Sequence, residues 1–254
     1  MELTRTHEGG GFRSMLAVDA RRMFRTRLFY LMLLISIAIP ILVLVMTTMN
    51  TDPAQGGAIF TSVWQAIGST DSSGMSMDLT SMCNINMIYF LAAVLVCCFV
   101  SADFKSGYAR NLFAIRPGRG DYAASKTVIC FAACVLLLAG YTVGALVGGA
   151  IAGLSFAMEG FTAVNLAMCL VSKAFLMAVF VGIYLLMSVI GRARFWLGLI
   201  LAFFVGMFLF TIISMMTPLN ATMMHVILCL AGGVIFAAGF GIASRTVLRR
   251  SDLV

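Results

Sequence analysis

Apolar residues along this chain gather into six long runs, separated by polar connections of very unequal charge. An α-helix needs about 20 such residues to cross the roughly 30 Å hydrocarbon core of a bilayer. On that measure the runs 28–48, 85–102, 127–153, 166–190, 195–216 and 223–244 are predicted spans, and 28–250 reads as one six-span transmembrane domain. Residues 1–11 are polar, contain Gly9-Gly10-Gly11 and read as a flexible tail. Between tail and first run the period becomes helical. Phe12, Met15, Leu16, Ala20, Met23 and Phe24 share one face, while Arg13, Asp19, Arg21, Arg22 and Arg25 occupy the rest. Residues 12–27 are therefore expected to form an amphipathic interfacial helix with its arginines at anionic headgroups, or else a plain basic flank of the first span. The fold class expected is an all-α integral membrane protein: six transmembrane helices preceded by that helix.

Smaller signals refine the layout. Pro40 should kink the first span mildly. The connection 50–82 carries Asp52, Asp71 and Asp78 without a basic residue, and its Ile59–Ile67 part, with Trp64, reads as a short helix at the outer interface. Gly140, Gly144 and Gly148, joined by Gly149 and Gly153, make small-residue steps that let a neighbouring helix approach closely; Gly233, Ala237 and Gly241 repeat the pattern in the sixth run. Pro218-Leu219-Asn220 is an uncharged hairpin between the fifth and sixth runs.

The longest polar island on the basic side is 103–126. Gly107 is placed to break the helix arriving from the second run. Tyr108, Leu112 and Ile115 then recur at helical spacing, giving a short helix with one apolar edge and a basic back. Pro117-Gly118 forces a turn. Asp121 is a candidate N-cap for the next helix.

Composition and charge then fix the class. A mean hydropathy of +1.03 with 11% charged residues lies outside the range of soluble domains, where about a quarter is charged. The net charge of +7 does not indicate nucleic acid, because the basic residues lie beside the spans. With six spans, 16 of the 17 lysines and arginines fall on one side, and Asp52, Asp71, Asp78 and Glu159 on the other. That segregation predicts both termini in the cytoplasm of a plasma membrane. Six of the seven cysteines (all but Cys83) lie inside apolar runs and read as small packing residues.

No hydrolase, zinc-protease or paired-acid motif occurs, and His7 and His225 sit at opposite ends of the chain. No GxxxxGK[ST] phosphate cradle occurs either, so any ATP-driven work needs a second polypeptide. Lys173 is the one ionisable group inside a run. It either snorkels to the outer headgroups along its four-carbon stem or lines a polar route. Asn84, Asn86, Thr211 and Ser214 are the other polar candidates.

Asp103-Phe104, Gly107, Asn111-Leu112, Arg119, Tyr122 and Ser125-Lys126 together resemble the first cytoplasmic loop of ABC-2-type transporter permeases. Two departures stand out: Tyr108 occupies a position where threonine is usual, and Arg116-Pro117 interrupts a small-residue stretch. The loop covers about a tenth of the chain, while the layout of runs resembles the family over nearly all of it. The resemblance implies a permease subunit that has no catalytic site and binds no cofactor itself, ATP and Mg being held by a separate ATP-binding subunit. It also implies a second permease copy or a related permease. Phe104, Tyr108, Arg110, Asn111, Leu112, Phe113 and Arg119 would form the ATPase-coupling segment. Asn86, Tyr89, Phe203, Met207, Phe210, Thr211 and Ser214 would line a pathway, with Lys173, for a hydrophobic or amphipathic cargo such as a peptide antibiotic, a drug or a lipid-linked compound. Self-protection against an antimicrobial peptide is one setting the resemblance suggests. The alternative class is a non-transporting scaffold or sensor whose loop docks a soluble partner. An ion-coupled carrier is disfavoured, since no acidic residue lies inside a run.

Overall fold

The structure, a computed structural model, describes residues 8–49, 60, 62–68, 85–115, 119–192 and 194–250, with the backbone alone described at 8–11, 115, 119, 207–215, 249 and 250. Eight α-helices are present among them: α1 (Glu8–Arg25), α2 (Arg27–Met49), α3 (Met87–Lys105), α4 (Tyr108–Ile115), α5 (Arg119–Ala152), α6 (Ala163–Gly191), α7 (Phe195–Met216) and α8 (Met223–Arg250). By length and composition α2, α3, α5, α6 and α8 are each sufficient to cross a membrane.

α3 and α6 form the middle of the bundle. Along α3 the buried set Tyr89, Ala92, Ala93, Leu95, Val96, Cys97, Phe99 and Val100 covers most of the circumference and leaves one partly exposed stripe, Leu91, Val94 and Cys98. α6 packs against α3, α7 and most extensively α8, while α2 packs chiefly along α5. The bare faces belong to the periphery: Leu31, Leu34, Leu42 and Met46 on α2, and Ile227, Val234, Ile235 and Ile242 on α8. Such faces are stable only against an apolar surround.

The glycine steps on α5 have a direct cause. A Cβ on Gly144 would collide with the carbonyl oxygen of Ile37, and one on Gly148 would lie 2.7 Å from the Cα of Ile41. The helix axes of α2 and α5 thus approach as only glycine permits, and the Ser36 hydroxyl donates across the seam to the Leu137 carbonyl at 2.6 Å. On α8 the stripe is shorter than expected. Gly233 faces the Phe175 carbonyl and Ala237 faces Gly182, but Gly241 looks onto open space.

Several boundaries differ from the hydropathy runs. The first helix starts at Glu8 rather than Phe12 and stops at Arg25, so four residues of the expected tail are helical. α5 begins at Arg119 instead of Thr127, which absorbs Asp121 into its first turn rather than leaving it as the N-cap. The polarity of 119–126 hid this extension. α3 runs on to Lys105, Gly107 adopts φ +73°, and α4 follows at once, with the Asn111 amide donating to the Gly107 carbonyl. Pro117-Gly118 and the aspartates of 50–82 lie outside the described residues. Trp64 is buried within the protein. Its 3-10 turn, Val63–Ala66, is buried under the α5–α6 connection, with the indole N–H donating to the Phe156 carbonyl at 3.1 Å and Ser62 bridged to Ser155.

Replacing Gly144 by alanine is expected to destabilise the α2–α5 seam by about 1–3 kcal/mol, the usual range for overpacking. Gly239→Ala, with nothing within 4 Å of the added methyl, should be neutral or slightly stabilising. Thermal unfolding of the two variants in the same detergent checks the contrast.

Candidate functional site

Two buried polar junctions stand out in this apolar bundle, and α3 contributes to both. The first joins the end of α3 to α1, α4 and the start of α5. The Lys126 ammonium lies 2.8 Å from Asp19 Oδ1 and 2.7 Å from Asp103 Oδ2, with all three side chains fully buried. Arg22 completes the set, its Nη2 2.6 Å from Asp103 Oδ1. The Tyr122 hydroxyl donates to Asp103 Oδ2 at 3.0 Å and the Ser125 hydroxyl to Asp19 Oδ2 at 2.7 Å. Two carboxylates and two cations therefore balance. Rings close the cluster from the sides: Phe99 lies 3.9 Å from Lys126 Nζ, and Tyr108 lies 4.0 Å from the Arg22 guanidinium. Burial opposes the charge on Arg22, but the adjacent Asp103 carboxylate outweighs it and the guanidinium titrates above its ordinary value. It stays charged at any physiological pH.

The geometry is local in origin. Met15, Asp19 and Met23 are spaced by four along α1 and turn the same way, so Asp19 enters the bundle beside two buried methionines. This corrects the assignment of Asp19 and Arg22 to the headgroup-facing side of α1. Asp19 points inward, and Arg22 engages a carboxylate of α3; Arg13, Arg21 and Arg25 remain exposed. Tyr122, Ser125 and Lys126 lie on the first turns of α5, on one side.

α4 rests against this cluster. Tyr108 carries the contact to Arg22, Phe113 meets Tyr122 edge-on at 5.3 Å, and Phe104 and Leu112 pack on the core. Arg110 and Asn111 face outward. The coupling candidates thus divide into an inward edge and an outward face. The side chain of Arg119 lies outside the described set.

The second junction is at the opposite end of α3. Lys173, 1% exposed, donates to Thr217 Oγ1 at 2.8 Å and to Asn86 Oδ1 at 3.3 Å. The Tyr89 hydroxyl donates to the Lys173 carbonyl at 3.2 Å. Lys173 does not snorkel to headgroups; its amine turns into the protein between α3, α6 and the α7–α8 hairpin. Among the described residues no carboxylate pairs with it. An ammonium held by neutral acceptors alone carries a desolvation cost of several kcal/mol. Of the pathway candidates, Asn86, Tyr89 and Lys173 meet in this buried junction, whereas Phe203 is 46% exposed on α7, its ring 5.1 Å from Phe90. The side chains of Met207, Phe210, Thr211 and Ser214 lie outside the described set.

Comparison with protein-family models, with curated proteins and with solved structures finds no match to this chain.

Lys126→Met should destabilise the fold by about 3–5 kcal/mol, because it strands two buried carboxylates on one remaining cation. Adding Asp19→Asn leaves Asp103 matched by Arg22 alone and should recover part of that loss. A double-mutant cycle on thermal unfolding reads the coupling.

Proposed function

We propose that this chain is the transmembrane subunit of an ATP-driven exporter of the ABC-2 type, working with a separate ATP-binding subunit. The observation that carries the reading is α4. It is an eight-residue helix hung between two membrane-length helices, presenting Arg110 and Asn111 outward while its other edge is locked to a buried ionic cluster. A helix so mounted passes a push on its outward face directly to the ends of α3 and α5. The resemblance of 103–126 to the cytoplasmic loop of such permeases supports the same assignment.

On this reading α7, with 22 residues and about 33 Å of rise, is the sixth span. Both termini and α4 then lie in the cytoplasm, following the one-sided lysines and arginines, and α1 is a cytoplasmic amphipathic helix fastened to the bundle by its buried face. ATP and Mg bind the partner, whose closure moves α4 and exchanges two states of the bundle. The second copy or related permease completes the route, and the cargo is hydrophobic or amphipathic, in keeping with the Met- and Phe-rich α7.

The test is reconstitution with a co-expressed ATP-binding subunit. Arg110→Glu combined with Asn111→Ala should lower permease-dependent ATP turnover about tenfold or more. Thermal unfolding should not change, since both side chains are exposed. An ATPase that binds but hydrolyses ATP indifferently to these changes would remove the coupling role and leave a docking scaffold.

A further inference from the structure

The Lys173 junction has the features of a closure built to come apart. Three elements meet there: α3 through Asn86 and Tyr89, α6 through Lys173 itself, and the α7–α8 hairpin through Thr217. The hairpin is packed in by Leu219, 2% exposed, which touches the position of Gly68, and by the Cys169 thiol donating to the Thr217 carbonyl at 3.3 Å. Yet among the described residues the charge at the centre of this packing has only neutral acceptors. The C-terminal end of α7, just before Thr217, favours a cation, while the N-terminal end of α3 at Asn86 disfavours one, so the helix dipoles offset. Ser172 adds a buried hydroxyl with no partner among the described residues better than the Cys229 thiol. At the other end, by contrast, both Lys126 and the partly exposed Arg22 have a carboxylate within 2.8 Å.

We propose that the Lys173–Asn86–Thr217 junction is the release point of the bundle, where the α7–α8 hairpin lifts from α3 and α6 and water reaches the ammonium. The desolvation of Lys173 is a cost borne only by the closed form. Hydration recovers it, so the amine biases this end towards opening while its two hydrogen bonds define the closed geometry. A lysine that merely ties the helices together would act in the opposite sense. The proposal needs no ATP-binding partner and is tested apart from the transport reading.

The experiment is backbone hydrogen exchange on the whole chain in lipid nanodiscs, reading the amides of Ala221 and His225 in and beside the hairpin. Amides 128–138 of α5 serve as the global reference. Lys173→Met removes the charge but keeps the length. Asn86→Asp supplies the missing carboxylate instead and does not depend on the first variant folding well. Each single change is expected to slow exchange at 221 and 225 about tenfold while leaving 128–138 unaltered. The double variant, with an unpaired buried carboxylate, should exchange faster than either single one. Unchanged or faster hairpin exchange in both single variants, or hairpin and α5 amides exchanging together in the unaltered chain, would overturn the proposal.

Discussion

The ammonium of Lys126 between the carboxylates of Asp19 and Asp103 is the contact on which the arrangement of this end of the molecule rests. In a bundle held otherwise by apolar packing, charges that close to one another and that deeply buried tolerate few alternative geometries. α1 has one register on α5 in which Asp19 reaches both Lys126 and Ser125. α3 has one depth at which Asp103 meets Lys126, Arg22 and Tyr122 together. α4 inherits its position from both, through Tyr108 and Phe113. Such a cluster adds little net stability over apolar packing, but it penalises misplacement heavily.

The two junctions differ in kind. One is neutral as a set and pairs its cations with carboxylates, though Arg22 Nη1 has no hydrogen-bond partner among the described residues, and the other leaves a cation among hydroxyl and amide groups. α3 links them, with Asp103 at one end and Asn86 and Tyr89 at the other, and its largely buried middle moves little independently of its neighbours. A displacement imposed on the ionic end is therefore carried along a packed rod to the end at which the proposed release occurs.

Much of this was legible in the sequence, because membrane-length apolar runs and small-residue steps are strong, local signals. The short helix after Gly107 followed from the spacing of Tyr108, Leu112 and Ile115. Charged residues were harder to place. Asp19 sits in an arginine-rich segment that masks it, although its spacing from Met15 and Met23 marks the inward stripe. Tyr122, Ser125 and Lys126 looked like loop because polarity masked the first two turns of α5. The fate of Lys173 was open for a different reason: which way a long side chain turns depends on partners more than 40 residues away, at Asn86 and Thr217. Periodicity carries no information about such pairings.

α5 is long for a membrane helix: its 34 residues extend about 51 Å, well past the hydrocarbon thickness. Near one tip it bears Lys126, near the other Gly149 against Val63, and in between it lies on α2 with no space for sliding at Gly144 and Gly148. Contact that close blocks translation but permits rocking, which makes the glycine seam a fulcrum. A tilt of about 5° about Gly144 displaces the Arg119 tip, about 38 Å away, by roughly 3 Å, and the Ala152 tip, about 12 Å away, by roughly 1 Å in the opposite direction. The larger displacement is comparable to the length of a hydrogen bond, so the long arm amplifies at the Lys126 end a tilt that barely moves the Gly149 end.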